Sequence, residues 1–227
     1  MTQLLPHVEV ETRPNPNASV IWLHGLGADG HDFEPIIKQL DLPKSSAIRF
    51  IFPHAPSLPV TINGGAVMPA WYDILEMSIE REVDEAQLKK SVTAINDFVN
   101  SEIDRGIASD RIIIAGFSQG GAVAFEVALS FPQKLAGLLA LSTYFATKDS
   151  VEFNSANQSL PIAIHHGDYD PVVPITLSTV SSELLLAKGY PVELKTYRME
   201  HSLCQEQIAD ISQWFVDTLQ LKLVTLV

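Results

Sequence analysis

The sequence predicts an α/β fold, a mainly parallel central sheet flanked by helices on both faces within a single domain. Three features predict it: the chain length, a series of short apolar runs, and the amphipathic segments between them. At 227 residues the chain can bury one sizeable core. Its hydrophobic fraction of 46% and charged fraction of 19% are those of a globular protein rather than a disordered one. No internal repeat, low-complexity tract or linker composition divides it, so residues 1–227 are read as one unit.

In chain order, strands are expected at residues 19–24, 47–52, 111–117, 136–142, 161–166 and 192–197. Several are continuously apolar, notably Ile112-Ile113-Ile114-Ala115 and Leu138-Leu139-Ala140-Leu141, as strands covered on both faces require. Between them lie helical patterns. Leu88, Val92, Ile95 and Val99 follow helical spacing, with Phe98 widening the stripe and Gly106 as a C-terminal stop. Ala122 to Leu129 opens a helical run directly after a strand. Leu184, Leu185 and Ala187 followed by Gly189 repeat the pattern, and Ile208, Ile211, Phe215 and Leu219 mark a last helix. Strands alternating with helices build βαβ units with right-handed crossovers.

Residues 53–74 break this rhythm. Pro53, Pro56, Pro59 and Pro69 exclude a regular helix, and Leu58, Val60, Ile62, Val67, Met68 and Trp71 make the stretch apolar. Two readings stand side by side: one wall of an acyl pocket, or a surface excursion packing its own side chains.

A formal net charge of -12 disfavours nucleic acid and anionic membrane surfaces as partners. No run of about 18 apolar residues exists, so no membrane-spanning helix is expected. The N-terminus lacks a cationic segment followed by an apolar one, and a lone cysteine, Cys204, fits a reducing compartment. Cytoplasm is the expected location.

The chemistry centres on Gly116-Phe117-Ser118-Gln119-Gly120, a G-x-S-x-G run between an apolar strand and a helical segment. A nucleophile elbow holds its serine in a strained strand-to-helix turn, which requires small residues two before and two after. Ser118 is then the nucleophile, and the helix N-terminus favours negative charge beside it. A serine needs a base, and the expected chain order is Ser, acid, His. His165 and His166 leave no room for an upstream acid, whereas His201 sits in a loop before the last helix. The acid lies in the segment 167–174, where Asp168 and Asp170 are both open and order and role favour Asp170. Oxyanion donors are expected at the backbone N–H of Gln119 and of Leu26, the latter in Gly25-Leu26-Gly27-Ala28-Asp29-Gly30. The phosphate-loop pattern is absent there, and His24 is expected to brace the loop. No metal-binding spacing is present, and Cys204 reads as a packing residue.

These motifs, with Met68-Pro69-Ala70-Trp71-Tyr72-Asp73-Ile74 and His201-Ser202-Leu203-Cys204, occur in an order that resembles the carboxylesterase and acyl-protein thioesterase family of α/β-hydrolases. The match runs over residues 19 to 219. The resemblance implies the α/β-hydrolase fold and hydrolysis of short- to medium-chain carboxylic esters, with acyl thioesters or lysophospholipids as the alternative. It assigns Ser118, Asp170 and His201 as a triad, and Leu26 and Gln119 as the oxyanion hole. It makes residues 53–74 a flap over an acyl groove, with Leu58, Val60, Met68 and Trp71 facing substrate. It further implies no cofactor, a small-molecule ester or acyl-thioester substrate, and in some relatives a homodimer. Pro69 departs from it, since many members carry arginine there. The rival of another class is a ligand-binding module that keeps the fold without turnover.

Overall fold

The computed structural model describes residues 3–76 and 82–221. In chain order the elements are β1 (His7–Glu11), β2 (Ala18–Leu23), β3 (Ile48–Pro53), β4 (Ser57–Val60), β5 (Ala66–Pro69), α1 (Glu85–Asp104), β6 (Ile112–Phe117), α2 (Gln119–Ser130), β7 (Gly137–Leu141), β8 (Ile162–Gly167), α3 (Ile175–Ala187), β9 (Val192–Tyr197) and α4 (Gln205–Thr218). The main sheet has seven strands in the order β1-β3-β2-β6-β7-β8-β9. Only β1 runs antiparallel to its neighbour, with Val8 opposite Phe52 and Val10 opposite Phe50. The other pairings are parallel.

Every residue of β2, β3, β7 and β8 is buried, as their mainly apolar runs require, with Ser19, Arg49, His165 and His166 as buried polar exceptions. One core layer lies between the sheet and α1, α2 and α3, and contains Leu88, Ile95, Phe98, Phe125 and Leu185. The opposite layer lies between the sheet and α4, with Ile208, Ile211 and Phe215 packed against Trp22, Phe50 and Phe52. The apolar stripe of α1 is buried as its spacing requires, and the Asp84 carboxylate caps it by accepting from the Gln87 N–H at 2.9 Å. Gly106 follows α1 with φ +95°, a conformation open to glycine at little cost.

Two features differ from the sequence expectation. Residues 7–11 form an edge strand whose Val8 and Val10 are half-buried between exposed His7, Glu9 and Glu11. Residues 53–74 contain a β-hairpin, β4 with β5, rather than irregular chain. Its prolines are tolerated because a two-stranded ribbon leaves each strand one edge without a ladder.

Parallel strands place all their C-terminal ends along one edge of the sheet. Chain order reverses between β2 and β6, since β2 is followed on one side by β3 and on the other by β6. The loops leaving these two strands therefore diverge, and the crevice they open is where ligands bind in open α/β sheets.

Candidate active site

Ser118 lies in that crevice, between β6 and α2, with φ 54° and ψ -121°. Such a backbone is strained for any residue with a Cβ and persists only when its surroundings enforce it. The surroundings are explicit. Its N–H donates to Leu141 O at 2.9 Å, and its carbonyl accepts from Thr143 Oγ1 at 2.6 Å. A Cβ on Gly116 would stand 2.5 Å from Gly120 O, and one on Gly120 would stand 2.5 Å from His24 O. Strand and helix can approach this closely only because both positions are glycine.

The loop after β2 closes the other side. His24 Nε2 accepts from the Ala55 N–H at 3.0 Å, so Nδ1 carries the proton and donates to Gly25 O at 2.7 Å. Burial pushes the His24 pKa down and keeps this neutral form. The expected brace is thus present, and Gly27 N–H ties the loop to Pro69 O at 2.8 Å. Among the described residues, neither the Leu26 N–H nor the Gln119 N–H donates to a protein acceptor. Leu26, Ser118 and Gln119 share the lining of a cavity of about 70 Å³.

Asp170 follows β8. One carboxylate oxygen accepts from the N–H groups of Val172 and Val173, each at 2.8 Å, and the other accepts from His201 Nδ1 at 2.7 Å. Burial alone would raise the Asp170 pKa. The hydrogen bonds from His201, Val173 and Val172 and the histidine charge outweigh it, so the pKa sits below the ordinary aspartate value. Asp168, the other acid of the segment, is exposed, and among the described residues only its backbone N–H is engaged, donating to Tyr197 O at 2.8 Å.

His201 leaves the loop between β9 and α4 and lies against the ring of Phe117, 4.7 Å between centroids, one residue before Ser118. Among the described residues no hydrogen bond joins Ser118 Oγ to His201. Such contacts are often long without substrate and tighten in the complex. A larger cleft of about 350 Å³, lined by His201, Phe117, Phe33 and Asp32, opens on the flank of the imidazole.

The structure does not bring Leu58, Val60, Met68 or Trp71 into the cavity beside Ser118. Ile62, Tyr72, Ile74, Tyr144, Val172 and Val173 line it instead. Val60 and Trp71 are fully buried, and Leu58 lines a separate groove with Leu5, Pro56 and Lys90. Met68 packs near Gly27. Trp71 has a bracing position: its indole N–H donates to His24 O, and its backbone N–H donates to Gln119 Oε1, both at 2.9 Å. The Gln119 amide also donates to Tyr72 O at 2.6 Å. The sequence reading used only the Gln119 backbone; its side chain clamps the elbow to the segment after β5, which no motif spacing reveals.

Fold and elbow together define a serine hydrolase of the α/β-hydrolase type. The family model described as phospholipase/carboxylesterase matches residues 5–219, and the chain belongs to that family. It is 40% identical over 213 residues to acyl-protein thioesterase 1 of Neurospora crassa, covering 89% of this chain and 87% of the relative. It is 37% identical over 205 residues to acyl-protein thioesterase 1 of Gibberella zeae, covering 86% and 87%. Among solved structures, Arabidopsis thaliana SOBER1 superposes with a TM-score of 0.83 at 30% identity, covering 89% of this chain and 99% of that one. Zea mays acyl-protein thioesterase 2 gives 0.82 at 26% identity, covering 95% and 99%.

Proposed function

We propose that the chain hydrolyses carboxylic esters of short to medium acyl length through Ser118, His201 and Asp170. The observation that carries this reading is the His201–Asp170 hydrogen bond of 2.7 Å, set beside a serine in a strained elbow. Ser118 Oγ attacks the carbonyl carbon and passes its proton to His201 Nε2. Asp170 holds the Nδ1–H and stabilises the imidazolium that forms. The N–H groups of Leu26 and Gln119 receive the oxyanion. The C–O or C–S bond then breaks, His201 protonates the leaving oxygen or sulfur, and the acyl group stays on Ser118. Water, deprotonated by His201, releases the acid and restores the serine.

The acyl group is assigned to the cavity of about 70 Å³ beside Ser118, bounded by Ile62, Ile74 and the paired tyrosines, whose hydroxyls lie 3.4 Å apart. That volume favours a short acyl group. A second reading, a thioesterase acting on long acyl chains carried by proteins, draws support from relatives named acyl-protein thioesterase at 37% and 40% identity.

A p-nitrophenyl ester series from acetate to palmitate, run beside a palmitoyl thioester and with Ser118→Ala as control, separates the two. Activity that peaks at short or medium chains supports the first reading, and activity that rises to palmitate and favours the thioester replaces it with the second. Full activity in Ser118→Ala contradicts both.

A further inference from the structure

His166 is fully buried at the end of β8, and the mechanism above gives it no part. Its Nε2 lies 2.7 Å from Val173 O and 3.4 Å from Asp170 Oδ2, two groups that only accept, so Nε2 carries a proton. Its Nδ1 lies 2.5 Å from Ser178 Oγ, which is also 2.5 Å from Thr143 O. In the neutral Nε2–H tautomer Nδ1 and Thr143 O both accept, so the single Ser178 hydroxyl hydrogen, which lies within reach of both, serves one of them at a time. Among the described residues, the titratable groups that bear on the ring are Asp170 and His201. Burial holds the imidazole pKa down and favours the neutral form.

The backbone of Val173 is therefore held at both its polar groups: Asp170 Oδ1 accepts its N–H at 2.8 Å, and His166 donates to its carbonyl. Thr143, at the far end of the chain of contacts, donates its hydroxyl to the Ser118 carbonyl at 2.6 Å. One buried ring thus holds the acid loop directly, and Ser178 stands between that ring and Thr143, the residue that binds the nucleophile's carbonyl. Val172 and Val173 also line the acyl cavity.

We infer that His166 is a positioning residue for the reaction at Ser118, holding the Asp170 loop in register with the elbow through its Nε2–H and through Ser178. The inference rests on the assignment of Ser118, Asp170 and His201. It predicts a particular pattern of defects. His166→Leu keeps the bulk but loses both polar contacts, so kcat falls about 10-fold to 100-fold, the range a small misplacement of reacting groups produces. KM changes little. The acid limb of the kcat/KM profile reports the free-enzyme base. It moves to lower pH in His166→Leu, because a loosened Asp170 stabilises the His201 imidazolium less. His166→Gln, which retains an N–H donor, recovers most of the activity and the profile. Ser178→Ala gives a smaller defect of the same kind.

The experiment is the pH dependence of kcat and KM for p-nitrophenyl butyrate in the three variants, with thermal unfolding to confirm folding. Wild-type kcat and profile in His166→Leu would overturn the inference, as would an equal defect in Leu and Gln variants. Ser178→Ala leaves the imidazole and its packing in place. If His166→Leu does not fold, a wild-type profile in Ser178→Ala together with an impaired His166→Gln overturns it as well. An inactive wild type, or an active Ser118→Ala, would instead remove the triad assignment beneath it.

Discussion

At the scale of single residues, the site separates groups by what their surroundings do to charge. Asp170 has a pKa below the ordinary aspartate value because its hydrogen bonds outweigh burial, so it is a carboxylate at any pH where the enzyme would work. Its contribution to stability is complete above the ordinary aspartate pKa and is lost as pH falls through the lower, folded value. Asp170→Asn keeps the shape but removes the charge that fixes the His201 tautomer, and turnover should fall by about 10⁴-fold, as the same change does in serine proteases. Steady-state kinetics measures this directly, and a loss below tenfold would speak against the acid assignment. His165 behaves oppositely. Burial holds its pKa down to about 4 from 6.5, so as pH falls through that window the unfolded chain takes the proton first and the fold loses stability. The full effect is on the order of 3 kcal/mol. Urea unfolding between these pH values should show a flatter slope in His165→Leu than in the wild type. Tyr144→Ala should open the cavity beside Ser118 and move the ester optimum to longer chains. An unchanged chain-length profile would place the acyl group elsewhere.

At the scale of elements, legibility in the sequence tracked how strongly one physical requirement dominated each segment. Strands buried on both faces favour mainly apolar runs, and the strands expected at 19–24, 47–52, 111–117, 136–142 and 161–166 agree with β2, β3 and β6–β8 to within a residue or so at either end, as does 192–197 with the only partly buried edge strand β9. Edge elements carry weaker signals. The period of two in His7-Val8-Glu9-Val10-Glu11 is a strand pattern, but it is short and only half-buried. The β4–β5 hairpin was masked by its prolines, which argue against a central strand but not against a two-stranded ribbon. The elbow was legible because Gly116 and Gly120 are dictated by close approach. Gly120→Ala would drive a Cβ to within 2.5 Å of His24 O, so strand and helix must part. Overpacking of this kind costs about 1–3 kcal/mol or more. The same shift displaces the Leu26 loop from Ser118, and calorimetry with an esterase assay should show both losses together. The α1 cap provides a contrast remote from the chemistry: Asp84→Ala should cost about 1 kcal/mol and leave kcat unchanged.

At the scale of the whole molecule, the sheet has a functional end and a structural end. The C-terminal ends of β2, β6 and β8 and the loop after β9 carry the residues of the proposed site. At the opposite end, the fully buried Glu102 of α1 receives Arg49 at 2.8 Å and Arg105 at 2.9 Å, and is also hydrogen-bonded by Ser19. Arg49 in turn reaches Glu11 of β1 at 2.9 Å. This network ties β1, β2, β3 and α1 together. Removing one partner of a buried pair leaves an uncompensated charge, so Glu102→Gln should cost about 3–5 kcal/mol. Because the network lies away from the catalytic edge, kcat at a temperature where the variant remains folded should match the wild type. A denaturation curve and an activity assay on the same preparation test both halves. The lining of the cavity beside Ser118 was the least legible part of the candidate site. Leu58, Val60, Met68 and Trp71 were chosen for apolarity within one segment, whereas the cavity beside Ser118 draws Ile62, Tyr72, Ile74, Tyr144, Val172 and Val173 from segments separated along the chain. No local pattern encodes which of several apolar residues the fold turns towards a serine.

The central claim is that Ser118 is an activated nucleophile whose base is His201. Reaction with a fluorophosphonate probe, followed by mass spectrometry of the labelled peptide, tests it most directly. The account predicts one adduct per chain on Ser118, with labelling lost in Ser118→Ala and slowed by orders of magnitude in His201→Ala. A folded wild-type protein that takes up no probe, or carries it on another residue, would contradict the claim.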